Sequence, residues 1–273
     1  MSSAVSFLPT EICRGLDLVH PSWCDTIVTG LAAMHQADPS YFSQLCVEEF
    51  LPSEGRLFAA FSLPMDEVRF ILVGEGPYPR AESATGVCFM DGAVQEIWAN
   101  DGRGLSKRVN RATSLRNFVK MLLVADGQIE EENTSGTALE NIASRAIEPG
   151  SEYLQTLPEM QQKLLDHGFL LLNASLVFRK HVAPVKDGRS WQVFFRHVCI
   201  ALHNHHSVVS GCMPALILWG KIAESLKKVP EVALFPQISS EHPYNLSFIK
   251  NRQMQELFRP MKLLLKSEIE KNC

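Results

Sequence analysis

The sequence has no Cys-x-x-Cys pair. Its seven cysteines (Cys13, Cys24, Cys46, Cys88, Cys199, Cys212 and Cys273) are odd in number and widely spaced. That argues against a zinc ribbon or a cysteine-held iron–sulfur cluster and fits a reducing compartment. No apolar run reaches the ~18 residues of a membrane span. The opening MSSAVSFLPTEICRGL lacks a basic segment followed by an apolar core, so an intracellular protein, cytoplasmic or nuclear, without a membrane partner is expected. Positive charge is not in excess. With 26 Lys+Arg against 30 Asp+Glu the formal net charge is -4, which disfavours indiscriminate coating of nucleic acid but leaves room for a local basic surface. There is also no internal repeat and no Pro- or Gly-rich linker. The 273 residues, 46% of them hydrophobic, therefore read as a single domain with its core at about 18–265.

Short apolar runs alternate with longer stretches of helical periodicity. Strands are expected at Val68–Val73, Phe169–Asn173, Ala215–Trp219 and about Leu234–Ser239. Helices are expected at about Ser114–Val124, Glu152–His167, Trp191–His203, Ile222–Val229 and Asn251–Leu265, with another running from the Asp38-Pro39 cap towards Phe50. The alternation implies an α/β fold, a four-stranded parallel sheet covered by helices on both faces. Residues 126–150 are polar, include Glu130-Glu131-Glu132 and show no clear hydrophobic face. They read as a surface insertion.

Ligands of such sheets bind beyond the carboxyl ends of the strands, so the tips deserve the closest reading. They are Gly74-Glu75-Gly76-Pro77-Tyr78-Pro79-Arg80, Asn173-Ala174-Ser175, Trp219-Gly220-Lys221 and Glu241-His242-Pro243-Tyr244-Asn245-Leu246-Ser247. Neither phosphate-loop pattern, G-x-G-x-x-G nor G-x-x-x-x-G-K-[ST], is present, and Pro77 and Pro79 remove backbone donors that a phosphate cradle uses. Asn173 offers a carboxamide able to read a base or amide edge. His242 offers an imidazole that can donate to a developing anion, and Tyr78 and Phe89 offer aromatic walls. This set suits a planar heterocycle that must be gripped and made a better leaving group. Trp191 and Trp219 are most simply core, and His203, His205 and His206 show no metal spacing.

These residues carry a resemblance to the uracil-DNA glycosylase superfamily, in order from about Leu18 to Leu265. LPSEGRLFAAFSLPMDEVRFILVGEGPYP is similar to the lead-in through the first strand and the water-activating loop. GVCF (Gly86–Phe89) resembles the segment ending in the phenylalanine that stacks on uracil. GFLLLNASLV (Gly168–Val177) resembles the strand whose asparagine reads the uracil edge, and LILWG (Leu216–Gly220) the strand leading to a phosphate loop. HPYNLS (His242–Ser247) resembles the loop that enters the minor groove.

The resemblance implies a glycosylase that hydrolyses the N-glycosidic bond of a flipped-out deoxyuridine without metal or cofactor. Gly74, Gly76, Tyr78, Phe89 and Asn173 would bind substrate, Tyr78 filling the space that a thymine methyl needs. Glu75 and His242 would be catalytic, His242 donating to the uracil oxygen. Ser114, Gly220, Lys221, Leu246 and Ser247 would contact DNA, Leu246 as the wedge. It further implies a monomer whose partners are uracil-containing DNA and a proteinaceous glycosylase inhibitor or a replication protein.

The chain departs from the family pattern at the water-activating loop. Where the family reads G-Q-D-P-Y-H, with an aspartate that positions water, this chain has Glu75 at the glutamine position, Gly76 at the aspartate position and Pro79 at the histidine position. A second branch reads G-E-[AG]-P-G, so Glu75 matches that branch and Tyr78 the first. Tyr244 and Asn245 replace serine and proline, and Lys221 replaces serine. Slow excision dependent on Glu75 is the expected outcome; the competing reading is a DNA- or uracil-DNA-binding relative with a non-enzymatic role.

One further stretch points to DNA. Arg103, Lys107, Arg108, Arg111, Arg116 and Lys120 follow one another with no acidic residue between them, and Ser114-Leu115 resembles the family loop that pinches the backbone. Solvated helix faces normally mix both signs, so phosphate neutralisation explains this run better. A small-molecule nucleotide hydrolase would explain neither this run nor Leu246.

Overall fold

The computed structural model describes residues 8–209 and 211–266; Cys273 and the first seven residues of the opening segment lie outside them. The chain forms two compact units. One comprises residues up to Gly92 and Gly168–Ser239, the other Ala93–His167 and the residues from Ser240 onward.

The first unit is built on the sheet. Strands β1 (Phe70–Gly74), β2 (Phe169–Asn173), β3 (Ala215–Trp219) and β4 (Gln237–Ser240) lie in the order β2-β1-β3-β4. β1 runs parallel to both β2 and β3. β2 is buried at every position and β3 at all but its first, as strands with helices on both faces must be. The α/β architecture therefore matches the expectation. β1 begins two residues late because Met65–Glu67 form a 3-10 turn closed by Val68 N–H on Met65 O.

Helices Cys24–Ala37 and Pro184–Val209 pack against each other in this unit. The second starts seven residues before the expected Trp191 for a reason invisible in the periodicity. Asp187, buried in its first turns, accepts from Arg179 Nε (3.1 and 3.2 Å), Arg179 Nη2 (2.8 Å) and Tyr41 Oη (2.8 Å). A buried charge is tolerated only with such pairing. The helix after Asp38 is shorter than expected, Tyr41–Val47.

The second unit carries helices Lys107–Arg111, Thr113–Ala125, Gly136–Ala146, Leu157–Asp166 and Arg252–Phe258. Phe118 and Phe258 meet edge to face at 5.1 Å in its core. The helix expected from Glu152 begins only at Leu157, because Thr156 and Glu159 form a reciprocal capping box that fixes its start. Residues 126–150 are also more ordered than their polarity implies. Helix Gly136–Ala146 buries Leu139, Ile142, Ala143 and Ala146, a face half of alanine and so faint in the sequence. Among the described residues no helix is long and apolar enough to cross a membrane.

Candidate functional site

In the first unit β1 and β2 end side by side, with Gly74 opposite Asn173. Their pairing continues past the strands: Ala174 N–H donates to Gly74 O at 2.8 Å and Ser175 N–H to Glu75 O at 3.2 Å. The Asn173 carboxamide lies directly over Gly74. A β-carbon at position 74 would stand 2.6 Å from Asn173 Oδ1 and 2.8 Å from Cys88 Cβ, so only glycine fits beneath it. Asn173 is only 4% exposed, yet among the described residues no protein group hydrogen-bonds its carboxamide. Buried polar groups are normally paired; this carboxamide keeps two donors and an acceptor uncommitted among the described residues.

Phe89 forms the adjoining wall. Its ring is half-buried and meets Trp219 edge to face, centroids 5.2 Å apart. Its φ of 67° is left-handed, costly for a bulky side chain by about 1–3 kcal/mol. Neighbouring bonds offset that cost. Tyr78 Oη donates to Phe89 O at 3.2 Å, Cys88 N–H to Leu171 O at 3.0 Å, and Cys88 Sγ to Leu72 O at 3.2 Å. Burial, and then the charge of Asp91, push the Tyr78 phenol well above its ordinary range, so it remains a neutral donor; burial likewise raises the Cys88 thiol.

Glu75 takes a different direction. It is exposed and lines a cleft of about 250 Å³ with Ala174, Arg189, Gln192 and Ser225. Tyr78, Phe89 and Asn173 do not line that cleft. Gly76 is exposed, with Ser175 O 3.5 Å from where a β-carbon would stand. At the tip of β3, Gly220 adopts a φ of 66° and ψ of -139°, turning the chain into helix Lys221–Leu226 and leaving Lys221 exposed.

The other expected residues belong to the second unit. Tyr244 N–H donates to His242 Nδ1 at 3.1 Å and Asn245 N–H to His242 O at 2.9 Å, closing a tight turn. With Nδ1 accepting, the proton of the neutral imidazole resides on Nε2. His242, Leu246 and Ser247 are exposed, whereas Phe248 and Ile249 anchor the 3-10 turn Leu246–Lys250 in the interior. Helix Thr113–Ala125, whose second residue is Ser114, packs on that turn.

Asn117 is a positioning residue that the sequence reading missed. Fully buried in this helix, it donates through Nδ2 to Pro243 O (2.8 Å) and Tyr244 O (3.2 Å). A carboxamide inside the apolar run Leu115–Val124 was the available signal. Trp219, read as core, is also the neighbour against which the Phe89 ring rests.

Among the described residues none of Arg103, Lys107, Arg108, Arg111, Arg116 and Lys120 forms an ion pair with a carboxylate. Arg108 Nη1 donates to Ala93 O at 2.7 Å and Arg116 Nη1 to Asn110 O at 3.2 Å. Lys107, Arg108 and Arg111 are exposed and line one cleft of about 530 Å³ together with Glu96 and Asp101. Reversing these three to glutamate is expected to weaken DNA binding and to flatten its dependence on salt, each lost phosphate contact removing about 0.9 from the logarithmic slope. An unchanged slope in a salt titration would reduce the run to a solvated surface.

Known proteins share both sequence and fold with this chain, although no family model matches it. The uracil-DNA glycosylase of Corynebacterium glutamicum is 28% identical over 204 residues, 74% of this chain and 72% of that protein. The crystal structure of the wild-type UNG from Nitratifractor salsuginis is 37% identical, covers 94% of this chain and 98% of its own, and superposes with a TM-score of 0.82. The mimivirus UNG Y322L, crystallised in complex with UGI, is 16% identical over 85% of this chain and 73% of its own, with a TM-score of 0.53, and shares the fold.

Proposed function

The chain belongs to the uracil-DNA glycosylase family, and we propose that it is a base-excision repair glycosylase that hydrolyses the N-glycosidic bond of a flipped-out deoxyuridine in DNA without metal or cofactor. A single observation carries this reading. The buried Asn173 carboxamide, without a protein partner among the described residues, lies over Gly74, in the unit where Tyr78 holds the Phe89 backbone.

In the reaction a water oxygen bonds to C1′ of the sugar while the C1′–N1 bond breaks. The bond pair leaves with the base as an anion delocalised onto its ring oxygens, and the water proton passes to a base or to solvent. Asn173 grips the uracil edge, Phe89 stacks on the ring and Tyr78 leaves no room for a thymine methyl. His242 is the donor to the uracil oxygen, where stabilisation of the departing charge is the largest expected term. Leu246 is the wedge, and Ser114, Gly220, Lys221 and Ser247 meet the backbone.

The reaction proposed is slow. Gly76 brings no side chain to the attacking water. Glu75, the carboxylate beside it, lines a cleft that Arg189 and Gln192 also line. A protein partner of the inhibitor type, as bound to the mimivirus protein, is part of the same proposal.

The test is incubation with oligonucleotides carrying a single uracil or thymine, followed by alkali cleavage at abasic sites. Strand breaks at uracil only are expected. Retained DNA binding without release of uracil would favour the non-enzymatic relative. Asn173→Ala should lower release by the cost of an unpaired buried edge, about 1–3 kcal/mol or roughly 5- to 150-fold. Unchanged release by the folded variant would remove Asn173 from the pocket.

A further inference from the structure

Tyr244 and Leu246 stand out in the second unit. They are 67% and 68% exposed and only two residues apart, whereas their neighbours Pro243, Phe248 and Ile249 are buried. A lone exposed apolar side chain needs no explanation, but this pair sits on a loop whose backbone is fixed. Asn117 Nδ2 holds the carbonyls of Pro243 and Tyr244, and His242 Nδ1 accepts from the Tyr244 amide. Among the described residues no other ring packs on Tyr244. The 3-10 turn that follows packs on helix Thr113–Ala125, which carries Arg116 and Lys120, part of the cationic run that pairs with no carboxylate among the described residues. A rigidly presented aromatic face on a unit that also carries cations is a combination that holds single-stranded nucleic acid, since every base has a π-face and every nucleotide a phosphate.

We propose that Tyr244 is a stacking platform for an unpaired nucleobase of the bound strand, and that it biases the protein towards uracil in single-stranded DNA. The inference rests on the glycosylase reading for its substrate but not for its contact. Leu246 fills the gap left in a stack; Tyr244 supplies a surface on which a strand lacking its complement regains the stacking it has lost. Phosphates bound by the helix below hold that strand in register with the ring.

The test uses the full chain and its Tyr244→Phe and Tyr244→Ala variants, with a uracil-free single-stranded oligonucleotide containing one 2-aminopurine, titrated at three salt concentrations. Tyr244→Ala should weaken binding by about 5- to 150-fold, the range for one lost base–aromatic stack. It should also abolish the quenching of 2-aminopurine and leave the salt slope unchanged. Tyr244→Phe should bind within about twofold of the natural protein. On uracil substrates, Tyr244→Ala should lower the single- to double-strand ratio of kcat/KM, with the loss in KM. The proposal is overturned if Tyr244→Ala binds like the natural protein, if Tyr244→Phe is as defective as Tyr244→Ala, or if the salt slope changes by a full phosphate. Should the natural protein release no uracil from any substrate, the glycosylase reading fails, while the uracil-free titration still decides the role of Tyr244.

Discussion

Gly76→Asp is expected to raise uracil release by about 10²–10⁴-fold, the contribution typical of a positioned acid–base group. Hydrolysis needs a water held beneath the sugar and negative charge near the cationic sugar that forms as the base departs. The family resemblance puts position 76 where the G-Q-D-P-Y-H loop carries its aspartate, and the local geometry accepts a side chain there. A β-carbon there would meet Ser175 O at 3.5 Å and Ser175 Cβ at 3.8 Å, ordinary contacts, and Gly76 is not among the glycines with left-handed φ. Gly76→Asn is the matched control, equal in size without the charge. Glu75→Gln should lower the slow natural rate, towards the smaller end of the same range of about 10²–10⁴-fold. Single-turnover rates on a uracil oligonucleotide read all three. If Glu75→Gln changes nothing while Gly76→Asp still accelerates release, Glu75 only lines the cleft beside Arg189. If Gly76→Asp binds DNA and gives no acceleration, the water-site assignment is wrong.

His242→Ala is expected to cost about 10²–10³ in rate, the range for removing one donor to a developing anion. The backbone makes this residue a donor in its neutral form. The Tyr244 amide occupies Nδ1, leaving the ring proton on Nε2, and Asn117 holds the carbonyls that fix the turn. The loss should appear in the rate of bond cleavage and leave DNA affinity within about twofold, because the donor works in the transition state and not in the ground state. An equal loss of affinity for uracil-free DNA would show instead that the substitution had disordered the turn.

The first three strands were legible because each is an unbroken run of large apolar residues ending in a polar or glycine tip; the fourth, Gln237–Ser240, is mostly polar and starts three residues later than expected because Pro230–Leu234 forms a 3-10 helix. Helix Cys24–Ala37 was not legible, since its sequence CDTIVTGLAAMHQA mixes β-branched residues and glycine with its core positions. The start of helix Pro184–Val209 was hidden because its determinant, the Arg179–Asp187–Tyr41 cluster, joins residues far apart in the chain. At the candidate site residue types could be read but directions could not. Successive side chains leave an extended chain on opposite sides, and only the structure puts Glu75 into the cleft with Gln192. The turn that sets the His242 tautomer was equally invisible, because it depends on one backbone amide.

Cys88 carries a consequence for damage chemistry. Peroxide attacks thiolates, and the susceptibility of a cysteine follows its thiolate fraction and its access. Cys88 is buried, its Sγ donates to Leu72 O, and burial holds the thiol far above its ordinary pKa. Oxidant therefore meets almost no nucleophile beside Gly74, whereas Cys46 and Cys212 are exposed. Oxidation should mark those two surface positions first and leave Cys88, the residue preceding Phe89, chemically intact.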